Sequence, residues 1–304
     1  MPPYAFFEKQ FMPLENAKIG ILTHALHYGT ACFEGIRGNW NSEQNRICIF
    51  RIQDHYKRLL NGCRLLKIEL PYSIDDLCQL TIELLNKSGF NEDVYIRPLA
   101  YKSSQAIGVR LHGLENELLI IVTTLGSYLG KDRVRCCTSS WRRVDDTMIP
   151  ARGKISGIYV NSALAKTEAE ENGFDEAILL SSDGHVSEGS GENIFAVIDG
   201  TLITPPSPDN ILIGITRNSV IELAKSELGI DTIERSIDRS ELYLADECFF
   251  TGTAAHIAPI IEIDNRIIGT GDIGKITGDL QKLYNKLITG NNPKYNKWYT
   301  FASP

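Results

Sequence analysis

Apolar positions along the chain recur at two spacings, and the two alternate. Residues 4–14 (YAFFEKQFMPL) predict a strand with a turn near Glu15-Asn16. Residues 47–50 predict another strand. Asp54 then stands as the cap of a helix with Leu59, Leu60, Cys63 and Leu66 at helical spacing. A second helix is expected from about 75 to 87, stopped by Gly89. Residues 94–101 (VYIRPLAY) predict a strand on which Tyr95 and Arg97, two apart, face the same side. An apolar strand is expected at 118–124, an amphipathic helix at 160–172 ending at Gly173, and a strand at 177–180. Residues 193–198 and 201–204, joined at Asp199-Gly200, predict a hairpin. Gly214-Ile215-Thr216-Arg217 opens a helix that runs to about Leu228, with Gly229 after it. The N-terminus of that helix is a natural anion site, because its first N–H groups have no partner within the helix. Residues 247–250 predict a strand that opens onto Thr251-Gly252-Thr253-Ala254-Ala255. A last helix is expected at about 276–288, and residues 291–304 read as a mostly polar tail with aromatic anchors.

Strands interleaved with helices predict a mixed α/β chain. The glycine-bounded stretch GSYLGKD (126–132) is the best linker. The expected organisation is a small α/β domain at 1–125, a linker at 126–135 and a large α/β domain at 136–304. Hydrophobic residues make up 43% of the 304 and charged residues 23%, enough apolar material for a sizeable core. A net charge of −7 gives no basic footprint, so neither nucleic acid nor an anionic membrane is expected as a partner. No apolar run approaches a membrane span, and the opening MPPYAFFEKQF lacks a basic start followed by an apolar run. The seven cysteines are odd in number, scattered, and never spaced Cys-x-x-Cys, which fits reduced buried thiols. A cytoplasmic protein is expected.

Residues 149–193 concentrate the candidate chemistry. Lys154 lies between a glycine and an Ile-Ser-Gly spacer before Tyr159, and the stretch closes on Glu188-Gly189-Ser190-Gly191-Glu192-Asn193. A lysine amine can hold a carbonyl cofactor, and a carboxylate can keep a pyridine nitrogen protonated. Lysine is usually a surface residue, so neither residue decides anything alone. The longer strings do. Lys-x-x-Gly-x-Tyr, Glu-Gly-x-Gly-Glu-Asn, Gly-Ile-Thr-Arg and Thr-Gly-Thr-Ala-Ala together resemble the branched-chain aminotransferases, over nearly the whole chain. These are pyridoxal-phosphate enzymes of fold type IV. The resemblance also covers HALHYGTACFEGIR (24–37), the His-x-x-Arg-Leu around Arg58, and Tyr-Ile-Arg-Pro at 95–98.

The resemblance implies a two-domain fold with the active site at the domain interface, and a functional homodimer. Its cofactor would be pyridoxal 5'-phosphate, carried on Lys154, which would also move the substrate proton. Glu188 would face the ring nitrogen and Tyr159 the ring hydroxyl. Arg58, Thr216 and Thr253, with the Ile215 and Thr216 amides, would hold the phosphate. Tyr95 and the Thr253 and Ala254 amides would hold the substrate α-carboxylate. Tyr28, Phe33, Val109, Leu125, Tyr128 and Tyr159 would wall the side-chain pocket, and Arg97 would bind the second carboxylate of 2-oxoglutarate. The implied reaction is ping-pong amino transfer from leucine, isoleucine or valine to 2-oxoglutarate. Three residues depart from the family's usual pattern: Leu125 for tryptophan, His256 for glutamate and Ser190 for alanine.

Other readings remain open at this point. The same fold hosts D-amino-acid and (R)-amine transaminases and aminodeoxychorismate lyase. A non-catalytic binding protein on this scaffold would be expected to lack Lys154 or Glu188. Gly-Thr-Gly-Asp-Ile-Gly at 269–274 matches a dinucleotide fingerprint, but too little chain follows to complete a βαβ unit, so a turn before the last helix is expected. His24 and His27 have no third ligand nearby, so hydrogen bonding is expected of them and no metal site is assigned.

Overall fold

The computed structural model describes residues 3–124, 126 and 131–303. Leu125 and Tyr128, two of the expected pocket residues, lie outside the described residues, as does part of the expected linker. The chain begins with β1 (Tyr4–Phe7), β2 (Gln10–Pro13), α1 (His24–Tyr28), β3 (Ala31–Phe33), β4 (Ile36–Asn41) and β5 (Arg46–Phe50). Two helices follow, α2 (Ile52–Leu65) and α3 (Ile74–Ser88), then β6 (Val94–Lys102) and β7 (Asn116–Thr124). After β8 (Val134–Arg142) come α4 (Tyr159–Glu171), β9 (Glu176–Leu180), β10 (Val186–Gly189), β11 (Asn193–Ile198) and β12 (Thr201–Thr204). The chain continues through α5 (Ile215–Leu228), β13 (Thr232–Glu234), α6 (Arg239–Leu244), β14 (Glu247–Gly252), β15 (His256–Ile263) and β16 (Arg266–Ile267). It ends with α7 (Lys275–Ile288) and β17 (Tyr299–Ala302).

These elements divide into two compact units. The first comprises Met1–Gly126, Gly153–Gly157 and Lys286–Pro304. Among the described residues its sheet runs β17-β5-β4-β6-β7-β1-β2, with β3 also paired to β6. Helices α2 and α3 pack on it, α2 against β3 and α3 against β1, β7 and β17. The amphipathic spacing of α2 is what buries Ile52, Tyr56, Leu59 and Cys63. Along β6, Val94, Ile96 and Pro98 are buried and the alternate residues Tyr95 and Arg97 are half-buried, as period two requires.

The second unit comprises Ser127–Arg152 and Ile158–Asn285. Its sheet runs β10-β9-β8-β15-β14-β11-β12-β13, with β16 on β15. The β8–β9, β8–β15 and β12–β13 pairs are parallel. Its core gathers Ile178, Ile194, Phe250 and Ile260 from the sheet with Leu242 of α6. Helix α4 meets the sheet through Ala165 and Ala169 against Ala177 and Leu179, so small residues on both sides let it pack closely. The mixed α/β class follows from both sheets. No helix among the described residues is long and apolar enough to cross a membrane.

Four local expectations change. Residues 4–14 form a hairpin, with Tyr4 opposite Pro13 and the turn at Glu8-Lys9, both at positive φ. Helix α2 starts at Ile52, with Arg51 in the left-handed region as its N-cap. Asp54 lies in the first turn and accepts from Arg51 Nε at 2.6 Å, where the helix dipole also favours a carboxylate. The C-terminal segment is no polar tail: Tyr295 and Trp298 are buried, and β17 pairs with β5. That pairing returns 286–304 to the first unit. The bridge between Cys32 and Ile155 does the same for the Lys154 segment, so the expected single domain over 136–304 does not match the two units.

Candidate active site

Within the first unit, four expected site residues come together. Arg97 Nη2 donates to the Tyr95 hydroxyl at 2.7 Å, and its guanidinium carbon lies 4.4 Å from the Phe33 ring centroid. Its Nε is buried and has no hydrogen-bond partner among the described residues. Gly35 makes room for this arrangement, because a Cβ there would stand 2.1 Å from the Tyr95 hydroxyl. Phe33 closes β3 and donates its backbone N–H to the Lys154 carbonyl at 3.0 Å. The Lys154 Nζ lies 5.2 Å from the same Phe33 ring centroid, within reach of a cation–π contact. Lysine and arginine thus meet at one phenyl ring, and the arginine holds the tyrosine beside it.

Arg58 lies one turn after His55 on α2, so both side chains leave the same helix face. They converge on Glu34, which is wholly buried just after β3. Arg58 donates from Nε to Glu34 Oε1 at 2.7 Å and from Nη2 to Oε2 at 2.8 Å. His55 Nδ1 lies 2.7 Å from Oε2; a carboxylate only accepts, so Nδ1 carries the proton. Burial alone would push the Glu34 carboxyl up, but the Arg58 charge and the Arg58 and His55 hydrogen bonds hold it well below the usual range. Burial lowers the His55 pKa, and the Glu34 carboxylate offsets that only in part. Glu34 and His55 were not picked out from the sequence, although Glu34 stands inside the string that carried the resemblance.

Tyr28 anchors a loop. Its hydroxyl accepts from the Gly108 amide at 3.0 Å, and the His24 ring bonds Thr30 Oγ1 at 2.8 Å and the Gly108 carbonyl at 2.9 Å. His27 Nε2 meets the Ile21 carbonyl at 2.8 Å. Hydrogen bonding is therefore what both histidines do. Val109, at the tip of this loop, is 90% exposed.

In the second unit Glu188 lies buried on β10. Its carboxylate pairs with the buried Arg143 Nη2 at 2.7 Å and accepts from the Leu212 amide at 3.0 Å and Asn193 Nδ2 at 3.1 Å. Asn193 also donates to the Leu212 carbonyl at 2.8 Å, and a Cβ on Gly214 would strike its Oδ1 at 2.1 Å. So Asn193 couples Glu188 to the start of α5. Arg143 and Asn193 were missed as site residues: Arg143 sits in an unremarkable SWRRVDD string, and its partner is 45 residues away. Tyr159 is half-buried at the first position of α4.

Ile215 and Thr216 form the buried first turn of α5, whose N-cap, Gly214, has no side chain to cap it. Thr216 Oγ1 lies 3.3 Å from the Tyr284 hydroxyl, and the His256 ring meets the Tyr284 ring edge-on at 5.8 Å. Thr253 and Ala254 occupy the turn between β14 and β15, with His256 after it at φ 56°. The N-terminus of α7 is different. Glu247 accepts there from the Ile276 amide at 3.0 Å and the Thr277 amide at 2.7 Å. The glycines before α7 therefore lead into a helix start already filled by a carboxylate, as the turn reading expected.

Glu192 is buried behind the Gly189–Gly191 turn, where the Gly191 amide donates to its Oε2 at 3.1 Å. Burial first, then the charge of Glu176, pushes its pKa up to about 8. A carboxyl that keeps its proton when folded loses it on unfolding above the ordinary 4.5. Its effect on stability is therefore absent below that value, and stability falls as pH rises toward 8. Glu192→Gln cannot ionise. Its melting temperature should match the parent's near pH 5 and exceed it at pH 9, by several degrees or so. An offset of equal size at both pH values would show that Glu192 is ionised in the folded protein.

Taken unit by unit, the donor groups suit a flat aromatic phosphate. The first unit offers an arginine, Arg58, whose plane is fixed by Glu34, and a lysine amine over an aromatic ring. The second offers an uncapped buried helix start and a buried carboxylate held by three donors. The family profile described as Amino-transferase class IV matches residues 31–263. The chain is 52% identical to the probable branched-chain-amino-acid aminotransferase of Aquifex aeolicus (strain VF5), covering 98% of this chain and 96% of that one. It superposes with a TM-score of 0.94 on the branched-chain aminotransferase of Thermoproteus uzoniensis with norvaline, at 43% identity over 98% and 99% of the two chains. The branched-chain amino acid aminotransferase of Thermobaculum terrenum in its PLP-form also gives 0.94, at 38% identity over 99% of this chain and 98% of that one. Matches of this extent place the chain: the protein belongs to the class IV aminotransferases, among the branched-chain-amino-acid aminotransferases.

Proposed function

We propose that this protein transfers the amino group of L-leucine, L-isoleucine or L-valine to 2-oxoglutarate by a ping-pong reaction that uses pyridoxal 5'-phosphate. The observation that carries this reading is the likeness to branched-chain-amino-acid aminotransferases over nearly the full chain. The cofactor, when bound, supplies a carbonyl that carries the amino group and a ring that draws electrons from the substrate α-carbon. The rest is the work of the chain. Lys154 Nζ would hold the cofactor covalently and, once released, would take the proton from the substrate α-carbon and pass it to the cofactor carbon that carries the amino group. Glu188, kept in place by Arg143, Asn193 and the Leu212 amide, holds a proton at the ring nitrogen. Tyr159 orients the ring hydroxyl. Arg58, Thr216, Thr253 and the first amides of α5 hold the phosphate. Tyr95 and the Thr253 and Ala254 amides hold the α-carboxylate. The apolar side-chain wall is assigned by resemblance to Tyr28, Phe33, Val109 and Tyr159, and to Leu125 and Tyr128 outside the described residues. Arg97 receives the second carboxylate of the co-substrate.

A homodimer belongs to this reading. Ile21 just before α1, Leu26 on it, and Ile107 and Val109 on the loop tied to it are exposed apolar side chains of the kind that an interface covers. The reading also places the protein in the cytoplasm, in keeping with seven cysteines that all remain thiols. The test is a pair of half-reactions followed in the visible spectrum. L-Leucine, L-isoleucine and L-valine should each convert the bound cofactor, and 2-oxoglutarate should restore it. Faster conversion by D-alanine or an (R)-amine would replace this substrate assignment.

A further inference from the structure

We infer that Glu34 is a positioning residue that aims Arg58, and that the dipeptide Phe33-Glu34 joins this arginine anchor to the seat of the second cofactor anchor, Lys154. The inference rests on reading Arg58 as the phosphate donor and Lys154 as the covalent attachment. Its physical basis lies wholly within the first unit. The backbone N–H of Phe33 holds the Lys154 carbonyl at 3.0 Å, and the next side chain, Glu34, takes Arg58 in a two-bond fork. The strand residue that seats the lysine is therefore covalently joined to the residue that aims the arginine. The fork is specific. With Nε and Nη2 both committed to one carboxylate, the guanidinium plane cannot turn about its last bond. A phosphate oxygen that reaches Arg58 would then meet a guanidinium whose plane is set before binding.

The surroundings argue that this arrangement is built rather than incidental. Glu34 is completely buried, a setting that costs a carboxylate several kcal/mol unless it is fully paired. Its two oxygens receive three donors, and its backbone N–H is used by the Pro98 carbonyl at 2.9 Å. His55, neutral with its proton on Nδ1, supplies the third donor without adding a second positive charge. The pair of Glu34 and Arg58 is thus electrically balanced before any phosphate arrives. An arginine held this way contributes direction as much as charge.

The test compares cofactor release from holoenzyme loaded with pyridoxal 5'-phosphate and from holoenzyme loaded with pyridoxal, which lacks the phosphate. Release is followed by loss of the bound-cofactor absorbance after dilution. Glu34→Gln should release the phosphate form about 10- to 100-fold faster, the range of a charge-assisted hydrogen bond, and leave pyridoxal release within about twofold. Arg58→Ala should behave the same way, and Glu34→Gln added to Arg58→Ala should accelerate release no further. If Glu34→Gln does not fold, Glu34→Asp keeps the charge and shortens the reach. It should accelerate only the phosphate form, by about 3- to 10-fold. Equal acceleration of both cofactors, additive effects in the double variant, or no effect in a folded Glu34 variant would overturn the inference. An Arg58→Ala variant that retains the phosphate form as tightly as the parent would instead overturn the assignment of Arg58 itself, and the inference with it.

Discussion

Lys154→Ala should abolish turnover, with a loss of at least about a thousandfold, because the same amine is assigned both cofactor attachment and proton transfer. Two lysines close in sequence are placed for other work. Lys131 Nζ pairs with Asp175 Oδ1 at 2.5 Å, and Lys166 Nζ pairs with Glu176 at 3.1 Å and Glu170 at 3.4 Å. Lys154 is seated differently: its carbonyl is held by the Phe33 amide and its amine stands over the Phe33 ring. The variant should still bind cofactor noncovalently, since the phosphate donors remain. Borohydride reduction of the parent followed by peptide mapping should place the label on Lys154, and the variant should take no label. A label on Lys131 or Lys166, or a variant that keeps more than a tenth of parental turnover, would mean that another amine does this chemistry.

The sequence made some of this legible and hid the rest, for identifiable reasons. Helix ends were readable where a glycine takes the left-handed region: Gly89 and Gly229 cap α3 and α5 as expected. The hairpin of β11 and β12 was readable because Asp199-Gly200 is a turn pair. The first hairpin was not, since Glu8-Lys9 reaches positive φ without glycine or asparagine to announce it. Arg51 hid the start of α2 in the same way. The shared side of Tyr95 and Arg97 followed from period two, and their hydrogen bond bears it out. Glu34, Arg143 and Asn193 were not singled out as site residues. What marks Glu34 and Arg143 is a buried partner 24 and 45 residues away, a pairing that no local spacing encodes, whereas Asn193 pairs with Glu188 five residues away inside a string that carried the resemblance. The same holds for the Lys154 segment: nothing in residues 153–157 says that they pair with β3. The cofactor-bearing motifs were legible only through family resemblance.

Arg97 should separate the two halves of the reaction. Leucine carries one carboxylate and an apolar side chain, whereas 2-oxoglutarate carries a second carboxylate into the same pocket. Arg97 is suited to that difference. It is half-buried, its buried Nε has no partner among the described residues, and its Nη2 is steadied by the Tyr95 hydroxyl. An unmet donor costs about 1–3 kcal/mol in the resting protein, and a carboxylate that meets it recovers that cost. Removing the arginine leaves the second carboxylate buried without a counter-charge, a loss on the order of 3 kcal/mol or more. Arg97→Ala should therefore slow the single-turnover reaction with 2-oxoglutarate about a hundredfold. The leucine half-reaction should change by about threefold or less, since a leucine side chain takes only packing from this wall. The variant also removes the guanidinium from the Phe33 ring and a donor from Tyr95, so its packing needs a control. Arg97→Met keeps much of the side-chain volume and loses the charge, and it should reproduce the selective loss. Tyr95→Phe keeps the charge and should slow both half-reactions, because its hydroxyl is assigned to the α-carboxylate that both substrates share. Rapid-mixing spectra with L-leucine and with 2-oxoglutarate decide the matter. If Arg97→Ala and Arg97→Met slow both half-reactions to the same degree, Arg97 serves the shared α-carboxylate or the packing of Phe33, and the dicarboxylate must find its counter-charge elsewhere.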